Sequence, residues 1–187
     1  MASLGQSILI YMRIPSLQQF FHRQVQQGFG RHGLAQPATV DYVSDVLTRF
    51  AHTRALYPIH GRDDRPIEHI AGLIMEWRTA QGDLDIPADR GREALVVRHI
   101  GEYALFMSGL FRARLAARGQ LGYYLSHGRG AYWRCATRES NPRQARVFEG
   151  LHRDFERIAR ALDDMRATQW PLHATAPVSP LLAWWRC

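Results

Sequence analysis

Residues 142–167 read PRQARVFEGLHRDFERIARALDDMRA, and this stretch decides the fold class. Apolar side chains recur along it every three or four residues, the spacing that places them on one face of an α-helix. They are Val147, Leu151, Phe155, Ile158, Leu162 and Met165. Ser140 and Asn141 can cap such a helix, and Pro142 suits its first turn. The stretch therefore predicts a long amphipathic helix over residues 143–167.

The same spacing recurs through the rest of the chain. It predicts further helices over residues 17–27, 39–50, 66–81, 90–118 and 121–137, whereas residues 7–14 fit either a strand or a helical turn. No stretch keeps the two-residue alternation of a strand for long. Six or seven helices with short connections predict an all-α fold, a compact bundle in a single domain. We expect that domain over residues 1–170, followed by a proline-containing tail at 171–187.

Composition excludes several kinds of chemistry. The 187 residues carry a net charge of +7, and all 24 basic residues are Arg. Without Lys, the chain has no Schiff-base lysine and no phosphate-loop lysine. The two cysteines, Cys135 and Cys187, form neither a zinc cluster nor a disulfide framework, and Cys135 is expected to be a buried free thiol.

Two features bear on location. No apolar run approaches the ~20 residues that a membrane span needs. The first residues, Met1-Ala2-Ser3-Leu4, lack the cationic and apolar segments of a secretion signal. We therefore expect a cytoplasmic protein with no membrane partner.

The central part of the chain is rich in glycine and aromatic residues. Residues 101–111 read GEYALFMSGLF and residues 121–137 read LGYYLSHGRGAYWRCAT. Each glycine inside a helix costs about 1 kcal/mol relative to Ala, so Gly101 and Gly109 predict the close approach of another helix. A tight helix–helix seam is the favoured interpretation. The alternative is a ligand pocket lined by Glu102, Ser108, Tyr123, Tyr124, His127 and Tyr132.

These two stretches resemble a group of uncharacterised bacterial helical proteins. The shared pattern is Gly-acidic-x-x-Leu-Phe-x-Ser-Gly-x-Phe, then a Tyr-Tyr pair, then Gly and Ala-Tyr. It covers residues 95–137, about a quarter of the chain, with Glu102 at a position that is often Asp in the pattern. The resemblance implies a bacterial helical protein and no particular reaction.

Histidine and glutamate pairs raise the possibility of a metal site. His99 and Glu102 are three residues apart on one predicted helix, and Glu149 and His152 are three apart on another. The second pair has the Glu-x-x-His form of di-metal bundles, but the first runs in reverse order. Two surface pairs of charged residues are therefore the favoured interpretation. His127 among aromatic residues could also be a haem ligand, but a structural histidine is more common, so no cofactor is expected.

A nucleic-acid interface is a third possibility. Its candidate residues are Arg112, Arg114, Arg118, Arg129 and Arg134. Arg112 and Arg114 do not share a helix face, so these residues form no continuous basic stripe. A solvated helix surface is the favoured interpretation.

The C-terminal tail ends in LLAWWRC, which is too apolar to be left in water without a role. Trp184 and Trp185 are residues of the kind that anchor interfaces. Docking within the chain or in a homo-oligomer is the first expectation, and docking on another protein is the alternative.

These features predict a bacterial cytoplasmic helical binding protein, a regulatory or adaptor module that self-associates. The first alternative is an enzyme that holds a metal or haem between its helices. The second alternative is a nucleic-acid-binding regulator.

Overall fold

The computed structural model describes residues 16–61, 63–82 and 87–169. Within them the regular elements are helices, apart from an isolated antiparallel bridge between His60 and Pro66. The helices are α1 (Leu17–Arg31), α2 (Pro37–Phe50), α3 (Thr53–Leu56), α4 (Ile70–Ala80), α5 (Arg90–Leu110), α6 (Arg112–Ala117), α7 (Leu121–Arg138), α8 (Pro142–Arg153) and α9 (Phe155–Gln169). The all-α prediction is confirmed, with more helices than the six or seven predicted. The segment 7–14 and the tail 171–187 lie outside the described residues.

Helix α5 is the centre of the bundle. It packs against α4, α7 and α9, and α2 also contacts it. Because neighbours surround it, α5 is buried on most of its circumference and lacks a single apolar stripe. Its buried residues include the polar side chains of Glu93, His99, Glu102 and Ser108. The central helix therefore places acids and a histidine inside the core.

Glycines allow the helices around α5 to approach closely. A Cβ atom on Gly101 would lie 3.1 Å from Cε1 of Tyr132 in α7, and one on Gly109 would lie 2.7 Å from Cβ of Leu162 in α9. On Gly128 in α7, a Cβ atom would lie 2.7 Å from Cβ of Ala104. The close approach predicted from Gly101 and Gly109 is confirmed.

Two long helices predicted from the sequence are each divided. The segment 90–118 breaks at Phe111, between α5 and α6, and the segment 143–167 breaks at Asp154, between α8 and α9. The apolar spacing continues across both breaks. Periodicity therefore gave no indication of them.

Two helix ends also differ from the prediction. Helix α1 continues to Arg31 rather than ending at residue 27, because Gly28 provides room for Met165 of α9. Helix α4 begins at Ile70 rather than Pro66, because Pro66 pairs with His60 and the Ile67 amide donates to the Ile59 carbonyl over 2.8 Å. Among the residues described, none of the helices combines the length and apolar character that crossing a bilayer requires.

We predict that Gly109→Ala destabilises the protein by up to about 2 kcal/mol. The gain in helix propensity is about 1 kcal/mol, but the new methyl group must displace Leu162, and overpacking of this kind costs 1–3 kcal/mol. Gly30→Ala is the matched control, because its Cβ atom meets nothing within 4 Å and should leave stability unchanged or raised. Urea denaturation measures the free energy of unfolding of both variants. Equal values would contradict the close approach of α9 to α5 at Gly109.

Candidate functional site

Glu102 of α5 is a buried carboxylate with several donors around it. Only 3% of the residue is exposed. The Tyr42 hydroxyl donates to its Oε1 over 2.8 Å, and Nε of Arg98 donates to the same oxygen over 3.0 Å. Nη1 of Arg49 donates to Oε2 over 3.2 Å. The two guanidinium groups offset the buried charge, and the cluster joins α2 to α5.

The cluster is chemically quiet at neutral pH. Burial raises the pKa of the Tyr42 hydroxyl well above its usual range, and the charge of Glu102 raises it further. Burial lowers the pKa of Arg98, but its interactions with Tyr42 and Glu102 together outweigh that effect, so the net shift of the pKa is upward. Tyr42 therefore remains a donor and Arg98 remains charged, so neither exchanges protons readily near pH 7.

Aromatic rings close the side of the cluster that faces the core. The ring of Tyr132 in α7 is fully buried, lies 6.0 Å from the Tyr42 ring and stacks on Phe148 of α8 at 6.1 Å. Burial, followed by interactions with Tyr42 and Glu102, raises the pKa of Tyr132 well above its usual value. The Tyr132 hydroxyl therefore stays protonated as well.

His99 lies one helical turn from the cluster, and only 4% of its surface is exposed. Its ring is 5.7 Å from the ring of Phe50 and 6.1 Å from that of Tyr103. Burial lowers its pKa, and the charge of Glu102 and a hydrogen bond with the Leu56 backbone oppose that shift without cancelling it. His99 is therefore neutral at pH 7.

An open groove of about 370 Å³ lies on the outer side of this cluster, between α5, α7 and α8. Phe148 and Cys135 contribute apolar surface, and Leu95 stands beside them with 55% of its surface exposed. Arg98, Arg134 and Arg138 also line it. The groove thus combines an apolar floor with guanidinium groups.

The three arginines differ in how their charge is balanced. Arg98 pairs with Glu102, and Arg138 pairs with Glu93, a residue of α5 that is 4% exposed. Arg134 stacks on the ring of Trp77 at 4.5 Å and donates from Nη1 to the Gly130 carbonyl over 3.1 Å. Within the described ranges, no ion pair shorter than 4.0 Å includes Arg134.

Glu93 connects this groove to α4. It accepts a hydrogen bond from Nε1 of Trp77 over 3.2 Å and another from Arg138. Burial raises its pKa, but the hydrogen bonds from Arg138 and Trp77 lower it by more, so the net shift is downward. Glu93 is therefore an anion that holds Trp77 in place under Arg134.

The thiol of Cys135 is poorly suited to act as a nucleophile in this groove. Burial, the largest influence, raises the pKa of its thiol to about 12. The thiolate is the reactive form of cysteine, and its population at neutral pH is therefore negligible. The expected free thiol is confirmed, but the side chain is half-buried rather than buried and packs against the edge of the core.

The pocket candidates from the sequence lie in different places. Glu102 and Tyr132 share the buried cluster, and the fully buried Ser108 donates to the Leu105 carbonyl at 3.4 Å. Tyr124 packs against Tyr103 at 6.3 Å. Tyr123 is 44% exposed, and its ring meets the His127 ring edge to face at 4.3 Å between centroids. These residues line the seam and the surface of α7 rather than one cavity.

The metal candidates are also separated. His99 and Glu102 are buried in α5, whereas Glu149 is exposed on α8 and Nδ1 of His152 lies 3.0 Å from the Arg129 carbonyl. In the parts of the chain described here, no three His, Cys, Asp or Glu side chains are grouped to hold a metal ion. Trp184 and Trp185, the interface candidates, lie outside the described residues.

Sequence reasoning missed Leu95, Arg98 and Phe148 as site residues. Leu95 and Arg98 lie on α5, but Phe148 lies on α8, so no single stretch of sequence displays the three together. One indication was available, because Arg98 and Glu102 are four residues apart and therefore share a helix face. Arg134 was identified only as part of a basic surface.

We predict that stability falls as the pH drops below about 6.5, the ordinary pKa of histidine in an unfolded chain. The folded pKa of His99 is lowered, so the unfolded state binds more protons in that range. Each such group contributes at most about 1.4 kcal/mol per pH unit. Urea unfolding at pH 7.5 and 5.5 should show a smaller fall for His99→Gln, with a remainder from His127, whose pKa burial also lowers. If the free energy of unfolding falls equally in the wild type and in His99→Gln, the pKa of His99 is not lowered in the folded protein.

Comparison with protein-family models, curated proteins and solved structures gives no match. The resemblance of residues 95–137 to bacterial helical proteins therefore stays a prediction. A fold class alone does not define a function, because one fold supports many activities. The functional argument rests on the groove and on the groups around it.

Proposed function

We propose that this chain is a binding protein, a regulatory or adaptor module that holds another molecule in the groove between α5, α7 and α8. The observation that carries the proposal is the combination of an exposed apolar side chain, Leu95, with guanidinium groups around a cavity of about 370 Å³. Ligand sites are typically concave and mostly apolar, with a few placed polar groups.

The state of the neighbouring reactive groups favours binding over turnover. Glu102, the acid behind the groove, already accepts hydrogen bonds from Tyr42, Arg49 and Arg98. The Cys135 thiol is protonated because its pKa is raised to about 12. General acid–base and nucleophilic catalysis need a group that can release or accept a proton near pH 7. The Cys135 thiol does not meet that requirement, and both carboxylate oxygens of Glu102 already accept hydrogen bonds from the protein itself.

The cellular setting and the assembly state are part of the proposal. We place the protein in the bacterial cytoplasm, and we propose that it self-associates. Tyr123 and Trp133 support self-association, because both lie on the outer surface of α7 with 44% and 52% of their surface exposed. Aromatic side chains of this kind are common interface anchors. Sedimentation velocity at two concentrations of the full chain measures the assembly state.

A second groove favours the nucleic-acid alternative. It lies between α7, α8 and α9, has a volume of about 530 Å³ and is lined by Arg129, Trp133, His152 and Arg153. The Trp133 and His152 rings are 5.3 Å apart and offer a stacking surface for a base. Binding there would weaken steeply with added salt.

The remaining alternative is a metal- or haem-dependent enzyme. Metal analysis and visible absorption of the purified protein test whether such a group is bound.

We predict that filling the groove abolishes ligand binding. Ala94 is exposed on α5 and lines the groove, so Ala94→Trp should occupy it. Ala116→Trp is the matched control, because Ala116 is exposed on α6 and lies outside this lining. The assay is thermal unfolding against a diverse library of small molecules, in which a compound at 100-fold its Kd should raise Tm by about 5–10 °C.

The expected result is that compounds stabilise the wild type and Ala116→Trp but not Ala94→Trp. Compounds that stabilise all three proteins equally would place the binding site elsewhere. Conversion of a stabilising compound to a product would contradict a function limited to binding.

A further inference from the structure

The groove that we propose as the binding site has an excess of positive charge. Among the described residues, its lining contains Arg98, Arg134 and Arg138 but only one carboxylate, that of Glu139. Oε1 of Glu139 accepts the Asn141 amide over 2.9 Å. The charges of Arg98 and Arg138 are offset by the buried carboxylates of Glu102 and Glu93 beneath the groove. Of these three arginines, Arg134 is the one that has no ion-pair partner among the described residues.

Arg134 is held in a fixed orientation. Its guanidinium carbon lies over the Trp77 ring, 4.5 Å from the ring centre, and Nη1 donates to the Gly130 carbonyl. Trp77 is itself held by its hydrogen bond to Glu93. Nε and Nη2 of Arg134 make no hydrogen bond to any of the described residues, so donors remain for a ligand. A planar guanidinium with free donors is suited to a carboxylate, which it can bind through two oxygens.

The rest of the floor is apolar. Phe148 is 3% exposed at the base, and Leu95 is 55% exposed at the side. The half-buried Cys135 adds a neutral thiol beside them. Burying an exposed leucine against a ligand is favourable, at roughly 25 cal/mol for each Å² of apolar surface removed from water. An alkyl chain of moderate length suits a groove of about 370 Å³.

We propose that the groove binds a molecule that carries one carboxylate on an apolar chain, with Arg134 binding the carboxylate and Leu95 and Phe148 contacting the chain. This inference rests on the proposed function, because it assigns a ligand class to the same groove. The preference for a carboxylate can be overturned by experiment while the groove remains the binding site.

The test uses isothermal titration of the full-length chain with octanoate, octan-1-ol and octylammonium, each below the concentration at which it forms micelles. The wild type should bind octanoate at least ten-fold more tightly than octanol, and octylammonium more weakly still. Arg134→Gln should weaken octanoate binding at least ten-fold and bring it to the level of octanol.

The matched control is Arg129→Gln, because Arg129 is an exposed arginine on the same helix that lines the other groove. It removes the same charge and should leave octanoate binding unchanged. Arg134→Lys retains the charge without the planar fork, and it should bind octanoate with intermediate affinity. This second variant keeps the test valid if Arg134→Gln folds poorly.

The outcomes separate the two proposals. If octanol and octanoate bind equally and Ala94→Trp abolishes both, the carboxylate inference is overturned and the groove remains the binding site. If octanoate binding survives Ala94→Trp, or falls equally in Arg129→Gln and Arg134→Gln, the inference is overturned because the ligand binds elsewhere. Absence of octanoate binding to the wild type also overturns it, while the library assay with Ala94→Trp still decides the proposed function.

Discussion

The buried negative charge of Glu102 is the constraint on which the arrangement of this protein depends. A carboxylate that is 3% exposed must be offset by cations and hydrogen-bond donors, since an unpaired charge in the core is very costly. Helix α2 supplies the Tyr42 hydroxyl and the Arg49 guanidinium as donors, and α5 supplies the Arg98 guanidinium. This requirement fixes α2 against α5. It also fixes Arg98, whose guanidinium carbon lies 6.0 Å from the centre of the Phe148 ring, so the charge cluster shapes one wall of the groove.

Glycine at the helix contacts complements this polar constraint. Gly101 lies against Tyr132, and Gly109 lies against Leu162, so α7 and α9 approach α5 more closely than residues with a Cβ atom would permit. The approach carries Tyr132 beside Tyr42 and Cys135 into the floor of the groove. The glycine- and aromatic-rich pattern therefore serves packing first. Its contribution to the proposed binding is indirect, through the position of the helices that form the groove.

The sequence predicts much of the fold and little of the site, for a physical reason. Helical periodicity is a local property, so it identifies the helices and the glycine seam from neighbouring residues. The break at Asp154 leaves the apolar spacing in phase and is therefore invisible to that argument. The groove depends instead on tertiary structure, because Leu95, Arg134 and Phe148 come from three helices. The stacking of Arg134 on Trp77, a residue of α4, has no counterpart in any local pattern.

The most direct test of the charge cluster compares Glu102→Gln with Asp45→Asn by urea denaturation. Both substitutions remove a carboxylate that pairs with Arg49, but Asp45 is exposed and Glu102 is buried. We expect Glu102→Gln to lose about 3 kcal/mol, because it leaves Arg49 and Arg98 without their buried partner, and Asp45→Asn to lose less than about 0.5 kcal/mol. Equal and small losses in the two variants would show that the fold does not depend on the buried charge of Glu102.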